Sequence, residues 1–173
     1  NALARLLGMD VPPASFPAGK AIFPAYLIEL FWVGMFGGGQ EEPGWRGFAL
    51  PRMQARMSPL LAGAVIGAIW GLWHFPLHFI DGVYENGAAL LWTRAFEIPY
   101  GILFAWLFNR GKGSLIPVLL WHATSNSCAR FMGRSSLIVF SLGTLLLIIL
   151  VIADKMWRKL PGERADVVIS PEC

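Results

Sequence analysis

From Leu137 to Ala153 the chain carries no charged side chain and no alternation of apolar and polar residues. A half-buried strand would alternate and a surface helix would show one polar face, so this run belongs inside other protein or in lipid. It approaches the roughly 20 helical residues that cross about 30 Å of hydrocarbon. Apolar stretches of similar size occupy 21–40, 60–80, 88–108 and 115–132. Only helices and closed barrels satisfy every backbone group in lipid, and these runs lack the alternation of barrel strands. The expected architecture is therefore all-α, a polytopic transmembrane helix bundle with about five spans. Composition agrees, with 55% hydrophobic and 14% charged residues against roughly 25% charged in soluble domains. A soluble globule, a coiled coil, a disordered chain and a nucleic-acid-binding protein are all disfavoured.

The formal charge of +3 reports loop orientation in such a chain rather than an anionic partner. Arg46, Arg52, Arg56, Arg110, Lys112, Lys155, Arg158, Lys159 and Arg164 fall on one side of the membrane, against Arg5, Lys20, Arg130 and Arg134 on the other. The positive-inside rule then makes the C-terminus cytoplasmic and runs the first span from outside to inside. The chain divides into a loop segment over 1–20, a transmembrane core over 21–153 and a cytoplasmic tail over 154–173 that reads as solvated. It begins at Asn1 with neither an initiator Met nor a signal sequence, and reads as a fragment with its upstream part missing. Cys128 and Cys173 form no disulfide framework or zinc spacing, and three residues would have to follow Cys173 for prenylation.

A charge at the bilayer centre costs about 2.5–3.5 kcal/mol on insertion scales, so each one in or beside a span needs a partner or a purpose. In the third span Arg94 and Glu97 are three apart and placed to pair. At the inner end of the first span, after Gly37-Gly38-Gly39, stands Glu41-Glu42-Pro43-Gly44-Trp45-Arg46. Glu42 and Arg46 are helical i,i+4 neighbours in the favourable order, while Glu41 is turned about 100° away. One acid can thus be structural and the other face a cavity; a charge cluster at the membrane boundary is the plainer alternative. Pro43 removes a backbone donor and opens the helix. The following Arg46–Ser58 reads as an amphipathic helix end at the cytoplasmic interface.

The second span carries Trp70-Gly71-Leu72-Trp73-His74-Phe75-Pro76-Leu77-His78. His74 and His78 share a helix face, but the glutamate that follows the first histidine in zinc proteases of the H-E-x-x-H type is Phe75 here. His78 reads as a hydrogen-bonding or interfacial histidine. The fourth span carries Trp121-His122-Ala123-Thr124-Ser125-Asn126, with His122 and Asn126 one turn apart among small residues that allow close helix approach. Interhelical hydrogen bonding and catalysis are both open for this cluster. Ser125 lacks the sharp turn of a nucleophile elbow, and Cys128 reads as packing.

The ordered set E-E-x-x-x-R, then W-x-x-x-H in the next span, then H-x-x-x-N two spans later resembles the CAAX protease and bacteriocin-processing (CPBP, or Abi) family of intramembrane proteases, with flanking residues similar to its bacterial branch. The resemblance covers roughly 31–126. It implies about eight transmembrane helices, of which these five look like the C-terminal ones, in a bacterial inner membrane. It implies an endopeptidase acting on a membrane-associated peptide or protein. Glu41 and His74 would activate water, His122 and Asn126 would stabilise the oxyanion, and Glu42 with Arg46 would hold the site. Trp70, Trp73 and Trp121 are candidate pocket walls. No cofactor is favoured; a zinc ion, if bound, would take Glu41, His74 and His122, and Asn126 is a poor zinc ligand. The family pattern has Phe where this chain has Trp70.

A non-catalytic rival is a bacteriocin self-immunity or peptide-binding factor using the same polar cluster. A transporter is less favoured, since no inverted repeat is visible. For the four site residues to converge, His74, about 22 Å along its helix from Pro59, must meet His122, about 12 Å from Ser114, which requires tilt or an early start of the fourth span.

Overall fold

The computed structural model describes residues 22–80, 96–132 and 136–160, and the regular structure among them is entirely helical. The segment 1–20, the partner Arg94 and the chain beyond residue 160 lie outside the described residues, as do the side chains of His78 and Cys128. Each expected span contains a helix. These are α1 (Ile22–Phe36), α3 (Pro59–Trp73), α4 (Glu97–Arg110), α5 (Ile116–Met132) and α6 (Ser136–Ala153), with the short α2 (Leu50–Gln54) between the first two. By length and apolar character only Pro59–Leu77 is sufficient to cross a bilayer among the described residues, and Gly143–Ala153 is a shorter apolar helix.

Local sequence explains the ends. Ser58 caps α3, its hydroxyl accepting from Leu61 N–H at 3.3 Å, and Pro59 opens the first turn where no donor is missed. Pro76 ends the regular helix, and the chain continues as a tighter turn over Phe75–Phe79. α4 stops at Gly111, after which Lys112 and Gly113 take positive φ.

The first span differs from the expectation. α1 breaks at Gly37, and a tight turn over Gly39–Glu41 leads into a wide helix over Pro43–Ala49, in which Leu50 N–H reaches back five residues to Trp45 O. In Arg46–Ser58, Phe48, Arg52 and Arg56 are exposed and Arg46, Leu50, Pro51 and Gln54 buried, two faces as an amphipathic segment has, and Gln54 does not reach solvent. Gln54 instead accepts from Asn109 at 2.7 Å, beside the end of α4.

α3 packs along α4 through glycine. A Cβ on Gly63 would lie 2.8 Å from Ile102 Cα, and one on Gly67 or Gly101 would overlap the facing backbone. Small residues permit this approach, which maximises dispersion contacts where lipid offers no hydrophobic drive. Gly67→Ala is expected to lower the melting temperature in detergent, through overpacking of about 1–3 kcal/mol. Gly143→Ala, whose added methyl would meet nothing within 4 Å, should leave it unchanged or raise it. An unaltered melting temperature for Gly67→Ala would refute the close crossing.

Around this pair lies a core of Leu50, Ile66, Trp70, Phe104, Phe108, Val118 and Met156. Met156 anchors the segment read as a solvated tail from Asp154, in which Lys155, Trp157, Arg158 and Lys159 are exposed. Met156 is buried, its carbonyl accepts from Leu60 N–H at 3.0 Å, and Asp154 accepts from Trp106 Nε1 at 2.6 Å and pairs with Arg110. Outward, α1 exposes Phe23, Ile28, Phe31, Trp32 and Phe36, and α6 exposes Leu145, Ile148, Ile149 and Ile152. Apolar surface on this scale is unsuited to water.

Candidate active site

The break after α1 is built by its own residues. Gly38 has φ 130°, a conformation that a side chain would strain. Gln40 clasps the turn, its Oε1 accepting from Gly38 N–H at 2.9 Å and its Nε2 donating to Phe36 O at 3.2 Å. The turn then throws the two adjacent glutamates apart.

Glu42 is fully buried. Its Oε1 accepts from Arg46 Nη1 at 3.0 Å and lies 2.6 Å from His122 Nδ1. The Arg46 guanidinium is equally buried and sits 4.7 Å from the Trp70 ring and 4.3 Å from the Phe104 ring. A charge taken out of water is tolerable when it is paired and faces aromatic rings. Glu42 Oε2 and Arg46 Nη2 have no protein partner.

Glu41 turns to α3 instead. Its Oε2 accepts from Trp70 Nε1 at 2.6 Å, and its Oε1 lies 3.9 Å from His74 Nε2. That last separation is too long for a hydrogen bond and suits one bridging water. His74 ends α3, with Nδ1 3.0 Å from Trp70 O. A carbonyl can only accept, so Nδ1 carries a proton, and in the neutral ring Nε2 presents its lone pair toward Glu41.

On α5, His122 is buried and Asn126 follows one turn later. Asn126 Nδ2 donates one proton to Gly37 O at 3.0 Å, leaving a second available. Both side chains face the glycine turn, since a Cβ on Gly38 would lie 2.6 Å from His122 Nε2 and 3.0 Å from Asn126 Nδ2. Ser125 donates to His122 O at 2.9 Å, which commits its hydroxyl to the helix backbone.

Glu41, Glu42, Arg46, His74, His122 and Asn126 thus share one region. Trp70 lies about 16 Å along α3 from Pro59 and His122 about 9 Å along α5 from Ile116, yet their ring centroids are 5.4 Å apart. The two rings meet despite these unequal distances along their helices. The candidate pocket walls divide. Trp70 is 4% exposed and belongs to the interior, whereas Trp73 and Trp121 are 56% and 42% exposed. Trp73 packs edge-on against Trp45 and beside His74. Among the described residues no group of three or more His, Cys, Asp or Glu is arranged to hold a metal ion.

A family model for the type II CAAX prenyl endopeptidase, Rce1-like, matches residues 23–128, more than half of the chain. The chain belongs to the Rce1-like family. Every residue of the cluster falls within the matched segment. Over 92 residues the chain is 34% identical to CAAX prenyl protease 2 of Methanococcus maripaludis, an alignment that takes in 50% of this chain and 34% of that relative. The match thus spans about a third of the relative's length. No solved structure matches the chain. Membership in the Rce1-like family makes this a membrane protein, which accounts for the apolar side chains that α1 and α6 turn outward.

The sequence carried no sign of three contacts that shape this Rce1-like site. They are the Trp70 donation to Glu41, the His122 contact with Glu42 and the Asn126 bond to Gly37, separated by 29, 80 and 89 residues along the chain. The nearest signal was the glycine run itself, whose place between Phe36 and Glu41 marked a backbone in need of conformational freedom.

Proposed function

We propose that the protein is an intramembrane endopeptidase that hydrolyses a peptide bond of a membrane-associated substrate with a glutamate-activated water. The observation that carries this reading is the pair of acceptors Glu41 Oε1 and His74 Nε2, 3.9 Å apart, facing the same region as His122 and Asn126. A water held between the two gives one proton to Glu41 as its oxygen attacks the scissile carbonyl carbon. The carbonyl oxygen becomes the oxyanion and takes hydrogen bonds from Asn126 Nδ2 and His122 Nε2. With Nδ1 directed to Glu42, Nε2 donates only when the ring carries both protons. The C–N bond then breaks, and Glu41 returns its proton to the leaving amine.

In this reading 21–153 is the protease core, set in a bacterial inner membrane with the C-terminus cytoplasmic, as the distribution of Lys and Arg favours. Glu42 and Arg46 support the site, and Trp73 and Trp121 are the candidate walls toward substrate. In this reading the reaction needs no metal, which Asn126, a weak ligand, favours.

The test is cleavage of a quenched fluorescent peptide by the complete protein in liposomes after exhaustive chelation. Turnover is expected to persist at the level seen before chelation. Activity that vanishes and returns with one zinc per chain would remove the metal-free mechanism and leave the protease reading standing. A protein that binds peptides without cleaving any, with or without metal, would remove the protease reading itself.

A further inference from the structure

A carboxylate acting as a base must present one particular oxygen to its water, yet a glutamate side chain rotates freely unless something holds it. The structure holds Glu41 through one side chain. The indole N–H of Trp70 donates to Oε2 at 2.6 Å, which leaves Oε1 as the oxygen 3.9 Å from His74 Nε2. A bond from a neutral donor to an ionised acceptor in a partly buried place is among the stronger hydrogen bonds a protein makes.

The same residue acts on the second member of the pair. Trp70 O accepts from the backbone N–H of His74 at 3.1 Å and lies 3.0 Å from its Nδ1, which fixes the tautomer that points an Nε2 lone pair toward Glu41. The indole is itself immobilised. It is almost fully buried, with the Arg46 guanidinium 4.7 Å from its ring and the Phe104 and His122 rings 5.8 and 5.4 Å away. Phenylalanine could fill much of this space but has no N–H to offer Glu41.

We propose that Trp70 is a positioning residue for the reaction: its indole N–H holds the Glu41 carboxylate so that Oε1 meets the water shared with His74, and it thereby sets turnover rather than substrate affinity. The proposal rests on the protease reading given above. It moves Trp70 from the substrate wall to the support of the base.

Two replacements test it, Trp70→Phe and β-(3-benzothienyl)alanine at position 70, an isostere of tryptophan with sulfur in place of the N–H. Both should lower kcat about 10-fold to 100-fold, the worth of one hydrogen bond to a charged group. KM should stay within about twofold and the isostere should melt like the wild type. The wild-type minus Trp70→Phe difference in ultraviolet resonance Raman should show a strongly hydrogen-bonded indole, and Glu41→Ala should abolish that signature. If Trp70→Phe does not fold, the isostere decides on turnover, and its own difference spectrum supplies the signature. Wild-type kcat in the isostere would show that only ring packing matters, and a raised KM with unchanged kcat would return Trp70 to the substrate wall; either outcome overturns the proposal. So would the absence of the indole signature. These results are separable from failure of the protease reading, which would appear as no cleavage by the wild type or as full cleavage by Glu41→Gln.

Discussion

Glu41→Gln should fold, melt like the wild type and lose turnover by about 10²–10⁴-fold, the usual contribution of a positioned general base. Glutamine keeps the length of the side chain. Its carbonyl oxygen can still accept from Trp70 Nε1, now 2.6 Å from Glu41 Oε2, and its amide can donate to His74 Nε2. What it cannot do is take a proton from water. A peptide-binding protein built on the same cluster would feel little of this change, so full retention of function would favour the binder. Arg46→Ala should behave in the opposite way. The buried pair with Glu42 stands at 3.0 Å, and removing one partner strands a carboxylate that water cannot reach. Such losses are about 3–5 kcal/mol, enough to deplete folded protein before activity can be measured. Equal recovery and equal melting temperatures for the two variants would overturn this division between a reactive and a structural glutamate.

That division was legible because it depends only on local geometry. Four-residue spacing put Glu42 beside Arg46, and one residue of rotation took Glu41 elsewhere. The start of α3 near Pro59 was legible from its apolar run, whereas the end of α1 at Phe36 was not, because the apolar stretch continued to residue 40. The course of the chain after Pro43 was not legible either. Arg52 and Arg56 are exposed as the amphipathic reading has them, whereas Arg46 is held inside by Glu42 and two aromatic rings. A hydropathy window counts such an arginine as surface because it cannot see a partner. The contact of Trp70 with Glu41 was hidden for a related reason. An aromatic residue one turn from a histidine looks like a wall when its N–H has no visible acceptor, and the acceptor lies 29 residues away. Contacts between elements depend on tertiary packing, and a single sequence holds no record of which helix faces which.

The glycine turn supplies the second large effect. Gly38→Ala should cut turnover by about 10²–10³-fold, the cost of losing one oxyanion donor, although residue 38 carries no functional group. The added Cβ would lie 2.6 Å from His122 Nε2 and 3.0 Å from Asn126 Nδ2, closer than atoms can approach, so the donors must move or the turn must yield. The turn is poorly placed to yield. φ of 130° is strained for any residue with a Cβ, and Gln40 ties both sides of the break together. Asn126→Ala should show a loss of similar size with little change in KM, because it removes the donor directly and frees Gly37 O. Gly44→Ala is the matched control, since a methyl there would meet nothing within 4 Å. Single-turnover rates on a cleavable peptide would separate these variants, with folding checked by melting temperature. Wild-type rates in Gly38→Ala would mean that His122 and Asn126 need not converge on this turn, and the oxyanion role would then have to be sought in other donors.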